Sequence, residues 1–561
     1  MGILSLLIFL PLAGIFILAL YPAARSKDFR LIALGITIAQ AAIFTGVLLP
    51  EYLSHPEKTG LTQLSQFHFQ EHLDWIRIHL GNTGSLDIKY TIGLDGLNFA
   101  LIGLTVFILM MAAISSWNIA KSPRTYFMLF LLLDISLLGC FSALDLFLFF
   151  LFFEFMLLPM FFLIGVWGYE RKEYAAVKFY LFTLFGSLFL LLVILGLAFS
   201  FVDPVETAKA IIQIPEGESL VSLIKNGTID SSSRVFTFNM LNMMRDNGEF
   251  HYLIPGSFFD PATTILGIST RTLGFLCVLI AFIVKIPSVP FHTWLPDAHV
   301  QAPTGVSVIL AGVLLKVGGY GIVRIGLGIF PDAFPDFQFV IALLGWASLI
   351  YGSFVAISQT DLKSLVAYSS IAHMGYVMLG IASGTATGIN GAMLQMLGHG
   401  IISAALFLIV GVISDRTQDR TIAHYSGLWT KAPLFSVLVL FAFFASMGMP
   451  GLNAFIAELL VLLGVFYATI TFHSLPLWLA LTTLAGIILS AVVFIRPFRK
   501  MFFGEYSYLG NAEHPFAEIN FREGLMLVPL SILMLLFGIF PSLLTGLFDQ
   551  SVARLVQYLG G

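Results

Sequence analysis

The sequence predicts an all-α integral membrane protein of about fourteen transmembrane helices, and three observations predict it. Apolar residues make up 58% of the 561 positions and charged residues only 11%, proportions foreign to a soluble domain of this size. Apolar runs of about 18 residues or more, the length that crosses a bilayer as a helix, recur along the whole chain. These runs lack period-two alternation, so helices rather than a closed barrel satisfy their backbones in lipid.

Taken in order, the apolar cores fall at 3–21, 31–49, 94–116, 126–142, 145–166, 178–201, 264–290, 304–327, 338–358, 364–382, 390–413, 433–467, 475–495 and 523–544; we number them spans 1 to 14. No basic residue precedes the first run, Arg25 being the first Lys or Arg, so span 1 reads as a retained helix and not a cleaved signal. A net charge of −4 suggests no nucleic-acid partner. Cys140 and Cys277 lie far apart in apolar runs, which gives no basis for a disulfide, a zinc site or an iron–sulfur cluster. Phosphate-loop, zinc-protease, C-x-x-C and dinucleotide signatures are all missing, so no cofactor or metal is expected in this chain.

Orientation follows from Lys and Arg, which accumulate in cytoplasmic loops. One set of alternate loops carries sixteen of them, among them Arg25, Lys27 and Arg30, then Lys178, Lys363, Arg416 and Arg420. Most of those on the other side lie in two long segments, 50–92 and 202–263, where the rule is weak. Both termini are therefore expected outside, on the periplasmic face of a bacterial inner membrane. The segment 202–263, with Pro204, Pro215, Gly217, Gly227 and Pro255, reads as an extramembrane loop; its Asn226-Gly227-Thr228 tripeptide matches a glycosylation sequon that chance explains better. Prolines interrupt two apolar runs at Pro287/Pro290 and at Pro450-Gly451. Paired interruptions point to inverted repeats with a site at the membrane midplane. Each proline removes a backbone donor, so the carbonyls of Ile283, Ile286 and Ser446 are expected to lose their usual partners.

Four of the charges inside these spans stand out: Glu154, Lys285, Lys316 and Glu458. An ionisable group at mid-bilayer costs about 2.5–3.5 kcal/mol on insertion scales, so each asks for a function. A proton crosses hydrocarbon only by hopping between groups that hold it reversibly. Desolvation moves both Lys and Glu toward that condition, and Lys, unlike Arg, can release its proton. The plainer reading is that Glu154 and Lys285 are a static neutralising pair. Lys316, flanked by Gly312 and Gly319, which allow either close helix contact or a water pocket, has no evident partner in the sequence, and neither does Glu458.

Histidines extend the series. His373 follows Ser369 by one turn, and Gln395, His399 and Ser403 share one helical stripe; each histidine suits proton relay or a satisfied core position. Asp134 and Asp145 flank the connection between spans 4 and 5, with helix-end or proton-handling roles both open. Lys178 begins span 6 either as an interfacial anchor or as part of the path. His292, Asp297 and His299, near the mouth of broken span 7, either assist proton uptake or are solvated loop residues.

These residues carry a resemblance. KIPSVPFHTWLPDAHVQAPTGVSVILAGVLLKVGGYGI, SQTDLKSLVAYSSIAHMGY and GMPGLNAFIAE resemble the proton-conducting, antiporter-like subunits of respiratory complex I, over roughly residues 90 to 500. The resemblance implies two inverted five-helix repeats, spans 4–8 (126–327) and 9–13 (338–500), each with one broken helix, between an N-terminal unit 1–125 and a C-terminal unit 501–561. It implies that Glu154 pairs with Lys285, that Lys316 is central, that Glu458 leads to the exit, and that His373 and His399 relay between them. Glu458, where the L and N branches usually place a lysine, is similar to the M branch. L- and N-type subunits are then the expected partners, with FMN, iron–sulfur clusters and quinone held by other subunits. The 202–263 loop is longer than the M branch leads one to expect.

Overall fold

The computed structural model describes residues 2–22, 27–211, 219–246, 248–509 and 516–560; Arg25, Pro215 and Gly217 lie outside the described residues. Thirteen helices are long and apolar enough to cross a membrane: Ile3–Leu20, Phe29–Ser54, Gly96–Asn118, Pro123–Ser142, Leu146–Trp167, Lys172–Ala198, Thr304–Leu327, Phe334–Ser358, Leu362–Ala382, Ala386–Thr417, Asn453–Ile470, Leu477–Phe502 and Phe521–Ile539. The interrupted pair Thr270–Lys285 and Trp294–Gln301 makes span 7, consistent with about fourteen crossings among the described residues. Span 12 is likewise interrupted, Pro433–Ser446 leading into Asn453–Ile470. The protein is a multi-pass membrane protein whose spans keep the expected order.

Spans 8 and 11 are each buried throughout an 18-residue stretch, and this enclosure places the chemistry. Close backbone crossings make it possible. A Cβ on Gly400 would stand 2.8 Å from the Gly312 carbonyl, and one on Gly318 would stand 2.8 Å from the Ile286 amide. Gly312 therefore serves close helix contact, the first of the two roles left open for it.

Local bonds repair the proline break in span 7. The Ile283 carbonyl, expected to be orphaned, accepts from the Ser288 amide at 2.9 Å, because the chain tightens past Pro287 and brings the next available donor into place. The Trp294 indole donates to the Val284 carbonyl at 2.9 Å, and Ser348 of span 9 accepts from the Val289 amide at 3.0 Å. The carbonyls of Ile286 and Ser446 take no donor among the described residues. In span 12 the chain turns at Gly448 and Gly451, both at positive φ, where a side chain would be strained.

One side of the membrane carries a small extramembrane unit built from the two long segments. Strands β1 (His68–His79) and β2 (Ser85–Leu94) pair antiparallel, and β3 (Val235–Thr237), from the second segment, joins β2 in parallel. Charges lock this sheet to the loop. Lys89 binds Asp203 at 3.0 Å, while Arg77 binds both Asp87 and Glu206 at 2.5 Å. Both termini lie on this hairpin side: the Gly2 amide donates to Glu71 of β1 at 2.9 Å, and the Tyr558 hydroxyl donates to the Gly328 carbonyl at 2.7 Å.

A buried ion pair pins the sheet to the bundle. Arg324, at the end of span 8, donates to both oxygens of Asp95 at 2.6 Å, and the two side chains are each 1% exposed. Asp95 also caps span 3, accepting from the Leu97 amide at 3.0 Å.

Two outcomes follow. Asp95→Ala strands a buried guanidinium, and removing one member of such a pair costs about 3–5 kcal/mol; a lowered thermal midpoint of the purified protein reads this. In the loop, hydrogen bonds from Lys209 and Arg77 hold the Glu206 carboxyl at about 2, below its ordinary 4.5. A depressed carboxyl stabilises fully above the unfolded value and loses its contribution as pH falls through the folded one. Cleavage of the 202–263 loop, measured against an unfolded peptide, is expected to accelerate as pH drops from 4.5 toward 2, and Glu206→Gln to abolish that dependence.

Candidate functional site

The interior charges fall into one connected group and one separated pair. The connected group begins on span 8, which departs from regular α-helix on either side of Lys316. Wider π-helical turns run over Leu310–Leu314 and Ile322–Leu327, and such turns cluster at functional sites because they displace backbone carbonyls from the helical ladder. Lys316 donates to the carbonyl of Ala311 within the first of them. The ammonium, wholly buried, meets Nδ1 of His399 at 2.8 Å.

From His399 the series continues by close approaches rather than hydrogen bonds. The rings of His399 and His373 lie with centroids 5.6 Å apart, and His373 Nδ1 stands 3.6 Å from a Glu458 oxygen. The Gln395 amide reaches the same His373 nitrogen at 3.2 Å. Glu458 occupies the second turn of the helix that restarts at Asn453. The break in span 12 wraps closely around it: a Cβ on Gly448 would stand 2.6 Å from the carboxylate. Lys316, His399, His373 and Glu458, drawn from spans 8, 11, 10 and 12, thus form a single polar line through an apolar core.

Glu154 and Lys285 are not joined in this way. Lys285 ends the first half of broken span 7, where unpaired carbonyls favour a cation. Its ammonium is wholly buried, makes no hydrogen bond among the described residues, and rests over the Phe153 ring at 4.4 Å. Glu154, on span 5, is only half-buried, and one of its oxygens is also unpartnered. The two feel each other's charge without an ion pair inside 4.0 Å among the described residues. In this conformation the two charges are apart, and the Phe153 ring rather than a carboxylate lies against the ammonium.

The remaining candidates sort by position. Asp145 caps the helix of span 5, accepting from the amides of Phe147 and Leu148 at 2.9 and 3.1 Å; this is the helix-end role. Asp134 does not flank the connection. It lies inside the span 4 helix, wholly buried, and accepts from Gln40 at 3.1 Å. Lys178 binds Asp297 at 2.7 Å and so ties span 6 to the second half of span 7. His292 and His299 are buried rather than solvated, at 5% and 0% exposure, because the second half-helix of span 7 folds back into the bundle. His299 stacks on Phe407 at 4.4 Å, with both ring nitrogens unpartnered among the described residues. Among the described residues no group of three or more His, Cys, Asp or Glu is arranged to hold a metal ion.

Sequence reasoning missed or undervalued four contributors. Lys363, counted as a loop charge, is buried and donates at 2.6 Å to the Ala302 carbonyl, and Arg420 donates at 3.1 Å to that of Val300; both cap the C-terminal end of the span 7 half-helix, where cations are favoured. Gln395 was noticed only as a stripe neighbour. Tyr376, whose hydroxyl is buried and unpartnered, lines with His373 a void of about 10 Å³, close to the least that holds one water.

A fourteen-span bundle with two broken helices and a buried Lys–His–His–Glu line defines the class of membrane ion-translocating modules. Comparison with known proteins narrows it. The sequence profile of the family described as NADH:quinone oxidoreductase/Mrp antiporter, TM matches residues 143–213 and 222–486. The chain is 36% identical to NADH-quinone oxidoreductase subunit M of Rhodobacter capsulatus over 99% of its length and 96% of the relative's. It is 38% identical to NADH-ubiquinone oxidoreductase chain 4 of Chondrus crispus, covering 95% of this chain and 93% of that one. A chain of respiratory complex I from Thermus thermophilus, solved with bound NADH, superimposes over the full length of both chains with a TM-score of 0.76 and 27% identity. The protein belongs to the NADH:quinone oxidoreductase/Mrp antiporter membrane-subunit family.

Because the Gly448 turn is moulded on Glu458, Gly448→Ala is expected to displace the carboxylate from His373 while leaving the buried Asp95–Arg324 pair, and hence assembly, intact. Proton translocation by membrane vesicles, normalised to assembled protein, then falls; vesicles that pump normally speak against the line.

Proposed function

We propose that this chain is the M-type proton-translocating subunit of NADH:quinone oxidoreductase, working beside L- and N-type antiporter-like subunits. The translocase is driven by electron transfer elsewhere, with FMN, iron–sulfur clusters and quinone held by other subunits. The observation that carries this reading is the series Lys316, His399, His373, Glu458, hydrogen-bonded at its first step and in close approach at the next two. Full-length similarity to proteins named subunit M supports the branch, as does glutamate at position 458.

Charge changes in neighbouring subunits, following quinone reduction, open the Glu154–Lys285 pair. Lys285 then loses the carboxylate that favours its charged form and passes a proton inward to Lys316. Because the Lys316 ammonium donates to Nδ1 of His399, the ring proton of neutral His399 sits on Nε2. Transfer to Nδ1 frees the Nε2 proton toward His373. Neutral His373 accepts the Gln395 amide at Nδ1; once protonated there, it turns the same atom into a donor facing Glu458, which delivers the proton to the exit. Lys178, His292 and His299 line the uptake mouth at the basic-loop side, and Asp145 fixes the start of the Glu154 helix.

The basic loops face the cytoplasm in this reading, which puts the hairpin side and both termini outside, in a bacterial plasma membrane. Residues 1–125, 126–327, 338–500 and 501–561 then form an N-terminal unit, two inverted repeats and a C-terminal unit, supported by the matching breaks in spans 7 and 12.

Lys316→Ala and Glu154→Ala test the scheme. Loss of a positioned proton carrier costs about 10²-fold or more, so NADH-driven proton uptake into vesicles is expected to fall by that order with the complex assembled. Unchanged pumping rules the scheme out. Proton movement that requires sodium and proceeds without NADH or quinone assigns the chain instead to the antiporter side of its family.

A further inference from the structure

Away from the proton line, on the hairpin side, an apolar cavity of about 490 Å³ opens between spans 2, 3, 11 and 14. Its walls include Phe44, Ala100, Leu104, Phe107, Leu397 and Phe537. Ala100 to Phe107 spans two turns of span 3, so the cavity descends about 10 Å along the helix at 1.5 Å per residue, into the depth of the acyl chains. Its size falls in the range of built ligand sites, roughly 300–1,000 Å³. Leu53 and Leu543 at its edge are exposed, 58% and 53%, which leaves it reachable sideways.

The upper end of this cavity is polar. Leu53, Gly546 and Leu547 wall both the apolar cavity and a smaller pocket, of about 50 Å³, lined also by Lys58, Thr59, His68 and Gln550. Two groups there lack partners. Lys58 makes no ion pair among the described residues, its neighbour Glu57 turning instead to His55 at 3.1 Å. Thr59 is only 6% exposed, and its hydroxyl is buried with no hydrogen-bond partner. The surroundings are otherwise satisfied: Ser551 donates to the Thr59 carbonyl at 2.7 Å, and His68 contacts the Lys58 carbonyl at 3.1 Å. A buried hydroxyl without a partner carries a desolvation penalty of about 1–3 kcal/mol, and a free ammonium beside it supplies the charge that an anionic oxygen answers.

We infer that the two compartments are one binding site for a membrane phospholipid, an acyl chain in the apolar cavity and the phosphodiester on Lys58 and the Thr59 hydroxyl. An uncharged isoprenoid fits only the lower compartment and leaves both polar groups unanswered. The bound lipid joins the Phe29–Ser54 helix to the Phe521–Ile539 helix across a seam that the protein leaves unpacked. The site stands apart from the proton line, so its failure and that of the translocation scheme are separable.

The test uses the whole purified complex with Phe537→p-benzoylphenylalanine, exchanged extensively into lipid-free detergent before irradiation, so that annular lipid is gone. We expect one phospholipid adduct per chain by mass spectrometry. Lys58→Gln lowers the yield about tenfold, and Lys58→Arg, which keeps the charge, restores it. Proton pumping of the Lys58 variants in native membranes remains that of the parent. An adduct to a quinone or a polypeptide, no adduct after detergent exchange, or a yield indifferent to Lys58→Gln overturns the assignment.

Discussion

The structure depends on one ammonium group, that of Lys316, held inside the membrane without a carboxylate. Among the described residues no acid lies within 4 Å of it, and its two contacts are a backbone carbonyl and an imidazole. A fixed carboxylate would hold its charge permanently and end its use as a carrier. A wholly apolar pocket would expel the charge at a cost of several kcal/mol. Carbonyl and imidazole together stand between these limits: they solvate the cation through dipoles, and one of them can take the proton away. Much of the surrounding architecture supplies those two groups. The π-helical turn brings the Ala311 carbonyl within reach, and the Gly312–Gly400 crossing brings His399 close enough.

The same requirement accounts for the breaks in spans 7 and 12. A continuous helix presents no free carbonyl to a buried charge, whereas a helix that stops at Lys285 and another that restarts before Glu458 each place a helix end at midplane. The cation stands at a C-terminus, which favours it. Glu458 sits inside a turn whose glycine leaves room for its carboxylate. The repair bonds from Ser288, Trp294 and Ser348 keep the first break from leaking further orphaned groups into the core.

How much of this the sequence disclosed varied with the range of the interactions. The spans were legible because bilayer thickness writes itself into run length, and the interior charges were legible because each interrupts such a run. The partner of each charge was not. His399 was placed on a polar stripe, but that its Nδ1 faces Lys316 depends on two glycines eighty-eight positions apart meeting at a crossing. Lys363 read as a loop charge because its position marks the end of a hydrophobic run; only the fold shows the half-helix that it caps. Asp134 was assigned to the connection although span 4, read as 126–142, already enclosed it two turns before its end, as the helix Pro123–Ser142 does. Strands β1 and β2 escaped notice within 50–92 because a search for long apolar runs passes over a hairpin whose edge strand leaves Leu73 and Trp75 half-exposed.

The contrast between the two halves carries the last step of the argument. On the Glu458 side each carrier stands close to the next, so a proton placed on Lys316 has somewhere to go. On the Lys285 side the ammonium rests on an aromatic face, which holds a cation more weakly than a carboxylate does, and Lys316 is reached by no direct contact. A chain connected along its whole length at one moment would leak protons down their gradient; a chain connected in only one half cannot. In the proposed scheme, closing Glu154 onto Lys285 recharges the disconnected half and opening it releases the Lys285 proton; here the ammonium has no carboxylate partner among the described residues. A pump needs this asymmetry more than it needs any single residue. In this structure it is seen at Lys285, whose ammonium rests over the Phe153 ring with no carboxylate inside 4.0 Å among the described residues.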